Sequence, residues 1–352
     1  MADILPVFDG HNDVLLRLWN EGDGAIDRFL SGTRAGHIDL PRARAGGLAG
    51  GLFAIFPPSP HDPNLIDRMP KGGYAIPLPT PLDPAEGVAA TIGMASILFR
   101  LEAASKGALA VCRSVAEIRA AIARGAMAAV FHVEGAEAIG PDLAMLDVLH
   151  AAGLRSLGPV WSRNNVFGDG VPMRFPATAD HGGGLSEAGR ALVKRCNELR
   201  IVVDLSHMTE KGFGDVAALS TAPLVATHSN VHALCPHSRN LSDAQFEAIR
   251  ASGGVVGLNF ATAFLREDGS MDPHTALDVL VRHLAAMVER LGEDGVALGS
   301  DFDGATIPHA VGDAAGLPRL VGAMRAAGFG DALVAKIARE NWLSVLQRTW
   351  GG

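Results

Sequence analysis

A chain of 352 residues that is 48% hydrophobic, with a mean hydropathy of +0.20, has the material for one large buried core, and it reads as a single domain over residues 1–352. The formal net charge of -8 and a pI near 5.9 argue against nucleic acid or an anionic membrane surface as partner, and no basic run offsets them. Cys112, Cys196 and Cys235 show no metal-ligand spacing, and an odd count of three fits buried fillers in a reducing compartment. No charged-then-apolar leader precedes the first strand, and the longest apolar runs, near 88–99 and 253–265, fall short of the ~18 residues a membrane span needs. The expectation is a cytoplasmic protein.

The first predicted strand, from Val7, runs into His11-Asn12-Asp13, and the alternation of an extended chain puts His11 and Asp13 on one face. An imidazole and a carboxylate so placed make half of a divalent-metal site. A second apolar run, 51–56, leads into a loop dense in proline from Pro57 to Pro84, then into a long helix at about 84–105. Ser114 reads as the N-cap of the next helix, with Glu117 three residues on as its capping-box partner. The third strand, 128–134, ends on Glu134, a carboxylate that is costly after so apolar a run unless it is paired or metal-bound.

A fourth strand, 154–160, precedes the polar loop Trp161-Ser162-Arg163-Asn164-Asn165. The fifth, 201–207, ends on His207 and the sixth, 224–228, on His228. The seventh spans 254–260, and the eighth, 296–301, ends on Asp301. Eight strands with helical crossovers in a chain of this length form an α/β (β/α)8 TIM barrel, here with C-terminal helices and inserted loops at the mouth. Active sites of such barrels gather at the strand C-termini, where all six polar residues fall.

Three imidazoles and three carboxylates on one rim exceed what one zinc requires, so the reading is two metals ~3.5–4 Å apart with a shared carboxylate and a shared hydroxide. Glu134 is the natural bridge, with His11 and Asp13 completing one metal and His207 and His228 the other. Nitrogen and oxygen ligands without thiolate suit Zn(II), while Mn, Fe or Co could occupy the same site. Asp301, left over from the ligand count, is suited to take a proton from the nucleophile and pass it to a leaving amine.

The segments Asp9 to Asp13 (DGHND), Val133 to Gly135 (VEG), Asp204 to His207 (DLSH), Thr227 to Asn230 (THSN), His237 to Asn240 (HSRN) and Gly299 to Gly304 (GSDFDG) resemble, in order, the membrane (renal) dipeptidases of the amidohydrolase superfamily. The resemblance implies a binuclear zinc dipeptidase with the ligand set above and Asp301 as the proton shuttle. It also makes Arg239 the holder of the substrate's C-terminal carboxylate, which suits a planar two-pronged cation. Members of the family are often homodimers, and many accept a D-residue at the C-terminal position. One departure stands out. Where the family usually has a histidine thought to polarise the scissile carbonyl, this chain has Trp161, whose indole N–H, with Arg163 or Asn164, is the available donor.

Two other readings compete: an amidohydrolase of N-acyl amino acids or another carboxylate-bearing amide, and a zinc-binding homologue without catalysis. His132 shares a strand face with Glu134 and fits a supporting role. His37, His61, His150, His181, His232, His274, His283 and His309 read as solvent or helix-face residues, Asp303 as ordering a turn, and Asp204 as a supporting acid.

Overall fold

The computed structural model describes residues 4–59, 69 and 71–351. Among them the strands are β1 (Val7–Asn12), β2 (Leu48–Ile55), β3 (Tyr74–Ala75), β4 (Leu109–Val111), β5 (Met127–Glu134), β6 (Leu154–Gly158), β7 (Arg174–Phe175), β8 (Val202–Val203), β9 (Val225–Ala226), β10 (Val255–Leu258) and β11 (Val296–Leu298). Helical crossovers return the chain to the same edge each time, so the main ladders are parallel. One runs β1-β2-β5-β6-β8 with β4 beside β5, and a second runs β11-β10-β9. Two single parallel bridges, Asp204 with Val225 and Asn12 with Phe302, connect the ends of these ladders. The result is a curled parallel sheet with helices packed against it.

The strands are apolar on both faces because both faces are covered. Phe8, Leu52, Val130, Val202, Val225, Val255 and Ala297 meet in one cluster with Trp342. Their neighbours Val7, Phe53, Phe131, Val203, Ala226, Val256 and Leu298 turn the other way, into the layer shared with the helices. Trp342, on the helix Asn341–Trp350, donates its indole N–H to Leu298 O at 2.8 Å. A side chain on Gly10 would strike both this indole and Thr227 O, so only glycine fits there.

Several boundaries differ from expectation. β8 and β9 are two residues each, not seven and five. The reason is Asp204, whose Oδ1 accepts the Ser206 and Thr227 backbone N–H groups at 3.1 and 2.8 Å and so takes them off the ladder. His207 and His228 therefore sit in turns just past the strands. The short antiparallel pair β3 and β7, built in the loops after β2 and β6, was not expected. Ser114 caps its helix through Glu117 N–H, but the Glu117 carboxylate reaches Arg113 N–H and not the cap residue itself.

The long helix spans Pro84–Ala104. Counting uninterrupted apolar runs underrated it: at 21 residues with a mean hydropathy of 1.3 it is long and apolar enough, by length and composition, to cross a membrane. Its inner face, including Met94, Leu98 and Leu101, is buried in the fold. His61 lies outside the described residues. His283 is on a helix face as expected, but that face is buried, and its ring bonds Val231 N–H and Leu265 O.

Candidate metal centre

β1 carries Asp9 and His11, its pairing shifts register between Asp9 and Asn12, and Asp13 follows one residue past the strand as the first residue of the turn into the next helix. Asp9 accepts the Ser300 N–H and hydroxyl, both at 2.7 Å, which ties the strand to the turn after β11. β5 brings His132 and Glu134 to the same level, and the turns after β8 and β9 bring His207 and His228. The convergence point is Glu134 Oε1. It lies 3.0 Å from His207 Nε2, 3.4 Å from His228 Nε2 and 3.6 Å from His11 Nε2. His11 Nε2 is also 3.4 Å from Asp13 Oδ2, and the two Nε2 atoms of His207 and His228 are 3.1 Å apart. His11, Asp13 and Asp301 form a neighbouring group whose ligand atoms lie within 4.8 Å of one another.

The outer contacts fix the rings. Thr227 Oγ1 donates to Asp204 Oδ2 at 2.7 Å, so at 2.8 Å it can only accept from His228 Nδ1. His228 is thereby held as the tautomer whose Nε2 lone pair faces Glu134. His207 Nδ1 is 2.9 Å from Ser162 Oγ. His132 bonds Ser156 Oγ through Nδ1 at 2.9 Å and lies edge-on to His11 with ring centres 5.4 Å apart, and with His11 and Asp204 it forms a further group whose ligand atoms lie within 4.8 Å of one another.

Charge and hydrogen bonding both call for a cation. Both ring nitrogens of His11, Asp13 Oδ1 and Glu134 Oε1 are buried and lack a hydrogen-bond partner among the described residues. Burial pushes the Glu134 and Asp301 carboxyls up and drives His207 and His228 well below their ordinary range, helped in the histidines by Arg239. Burial opposes the charge of His11 too, but Glu134, Asp13 and Asp301 outweigh it and raise it to about 10. Imidazoles and carboxylates, buried and facing one another, are the donor set of a divalent metal without thiolate. The residues fit the group.

A cavity of roughly 130 Å³ opens above Glu134, His207, His228, Asp13 and Asp301. Its walls are apolar: Phe56, Met69, Trp161, Met173, Phe264 and Met271. The Trp161 ring lies 4.8 Å from that of Phe56 and 5.7 Å from that of His207, between the wall and the ligands.

The sequence matches the profile of the membrane dipeptidases, peptidase family M19, over residues 1–350. The chain belongs to this family. The dipeptidase AC, a metallopeptidase, superposes with a TM-score of 0.98 at 51% identity, covering 99% of this chain and 100% of that one. A metallopeptidase from Rhodobacter sphaeroides, solved with a phosphinate mimic of the dipeptide L-Ala-D-Ala, gives 0.98 at 52% identity with the same coverage. An uncharacterized protein from the pqqA 5' region of Klebsiella pneumoniae is 49% identical over 255 residues, 72% of this chain and 94% of that protein. The protein is thus a metal-dependent dipeptidase of the M19 type, and its substrate is a small peptide.

Within this M19 chain, Arg239 is fully buried beside the ligands. It donates to Ser206 O, to His228 O at 3.3 Å and toward His207 Nε2 at 3.2 Å, and its guanidinium lies 5.4 Å from the Phe264 ring centre. Among the described residues no carboxylate lies within ion-pair distance of it. Arg163 is not where a substrate donor must be. Neither it nor Arg239 is on the cavity wall, but the Arg163 guanidinium is fully engaged by Glu137 Oε1 at 2.9 Å, Ser59 Oγ at 2.6 Å and Pro57 O at 2.9 Å, whereas Arg239 Nε is left without a partner among the described residues. Arg163 stands behind Phe56 and Trp161, 5.7 Å from each ring centre. Asn164 is likewise engaged, accepting Gly170 N–H at 3.1 Å. Asn259, overlooked in the sequence, donates from Nδ2 to Asp301 Oδ2 at 2.9 Å. Its signal was a carboxamide ending an apolar strand, a buried polar group that demands partners.

Proposed function

We propose that this M19 dipeptidase is a binuclear zinc enzyme that hydrolyses L,L- and L,D-dipeptides with apolar side chains. The observation that carries the reading is the single oxygen Glu134 Oε1 within 3.6 Å of three imidazole nitrogens, since one bridging carboxylate between two cations accounts for all three. His11 and Asp13 would hold one zinc and His207 and His228 the other, with Glu134 lying between the two pairs. Bound there, such cations would supply Lewis acidity for the scissile carbonyl and for a water near neutral pH.

The chain's own residues do the rest. Asp301 accepts the proton of the attacking water and delivers it to the departing amine nitrogen. Arg239, a buried cation with no carboxylate partner among the described residues, takes the C-terminal carboxylate of the substrate. Trp161 and Phe56 with the three methionines exclude water from the side of the scissile bond and favour apolar side chains. The same proposal takes the curled sheet as one (β/α)8 barrel domain, closed through the Asp204–Val225 and Asn12–Phe302 bridges. A cytoplasmic location, consistent with three unpaired buried cysteines, and a homodimer, by likeness to the family, belong to it as well.

The test is amino-acid release from L,L- and L,D-dipeptides and N-acyl amino acids by zinc-loaded protein and its Asp301→Asn variant. Cleavage of dipeptides, lost in a variant that keeps both metals, is expected. Preference for N-acyl amino acids, or near-normal turnover by the variant, would refute the reading.

A further inference from the structure

Asp301 sits in an unusual backbone position, with φ of +58°, where a side chain is seldom placed without support. Its N–H donates to His11 O at 3.0 Å, which fixes the backbone but leaves the carboxylate free to turn. Among the described residues the one hydrogen-bond donor to that carboxylate is Asn259 Nδ2. Asn259 follows β10, is fully buried, and is itself held on every side. Its N–H donates to Asn230 Oδ1 at 3.0 Å, and Asn230 Nδ2 returns a bond to Asn259 O at 2.9 Å. Its own Oδ1 accepts Ala261 N–H at 2.6 Å.

This last bond decides the orientation. A backbone N–H can only donate, so the amide oxygen must face Ala261 and the amide nitrogen must face Asp301. Asp301 is therefore met by a donor, anchored through Oδ2. Its other oxygen is turned toward Asp13: a side chain on Gly304 would strike both Asp301 Oδ1 and Asp13 Oδ2. One carboxylate oxygen is held, and the other is presented to the reacting side.

We propose that Asn259 is the positioning residue for Asp301, its carboxamide locked by Ala261 so that it aims the proton-carrying carboxylate at the reacting atoms. The inference rests on the role given to Asp301 above. Asn259 touches no substrate and acts only through Asp301, so its removal must impair turnover and leave binding alone.

The experiment compares Asn259→Ala, alone and combined with Asp301→Asn, in zinc-loaded protein, with metal content measured for each. Loss of one hydrogen bond to a charged group corresponds to a fall in kcat of about ten- to a hundred-fold, with KM little changed. In the Asp301→Asn background the second substitution should lower kcat no further, because both act on one step. A crystal structure of Asn259→Ala should show the Asp301 carboxylate turned from its place. Near-normal kcat, an equal loss in the Asp301→Asn background, or an unmoved carboxylate would overturn the inference. If Asn259→Ala does not fold, Asn259→Asp keeps the shape and the Ala261 acceptor but offers Asp301 an oxygen. It should lose at least as much turnover, and wild-type turnover would again overturn the proposal. Full activity of Asp301→Asn alone would instead bring down the role of Asp301.

Discussion

Replacing Arg163 by methionine removes a guanidinium that is entirely buried and leaves the Glu137 carboxylate, 3% exposed, without its partner. Breaking a buried pair from one side costs about 3–5 kcal/mol, because the remaining charge is desolvated and unpaired. For 352 residues the unfolding entropy is roughly 0.74 kcal/mol/K, so the melting temperature should fall by about 4–7 °C in calorimetry. The loss should depend on pH. Burial already raises Glu137 above its ordinary value, and removing Arg163 raises it further. A folded state that binds the proton more tightly is favoured at low pH, so the deficit is full at neutral pH and shrinks as pH falls through the raised value. The double variant Arg163→Met with Glu137→Leu has no stranded charge and should recover most of the stability. A drop below about 1 kcal/mol, or a deficit that does not change with pH, would refute the view of Arg163 as a buried brace behind the cavity wall.

Three further outcomes follow from the site. Trp161→Ala should lower kcat/KM for dipeptides with large apolar side chains by about 5- to 150-fold relative to Gly-containing ones, from some 1–3 kcal/mol of lost apolar contact, and an unchanged ratio would refute the wall. Arg239→Ala should raise KM about a hundred-fold for dipeptides with a free carboxylate and leave C-terminal amides little affected; equal losses would show that Arg239 holds something else. Prolonged chelation should abolish activity and lower the melting temperature by about 5 °C per site, from roughly 4 kcal/mol of linkage at a thousandfold excess over Kd, with both restored by zinc. A melting temperature indifferent to the chelator would count against metal at the cluster.

Much of the convergence is legible in the sequence because period-two alternation is a local rule: it groups His132 with Glu134 and His11 with Asp13, although Asp13 lies one residue past β1 in the fold. His207 and His228 were found at the right ends for a partly wrong reason. The strands stop at Val203 and Ala226, and the turns made by Asp204 carry the rings the last few ångströms. Arg163 was misplaced because a guanidinium in a polar loop looks the same whichever way it points. Its partners Glu137 and Pro57 lie 26 and 106 residues away, distances that only the folded sheet closes. Asn259 was missed for a related cause, since its meaning lies in the direction of one amide, set by a neighbour's N–H.

The indole of Trp342 completes the interior layer begun by Phe8, although the two lie 334 positions apart. Every strand of the sheet precedes in sequence the residue that fills its centre, and the space over Gly10 is taken by this indole and Thr227 O. The centre of the sheet is therefore filled by a contact of very high sequence separation, so docking of residues 341–350 is among the costliest loop closures of the fold. Residues 341–350 act as the last stone of an arch.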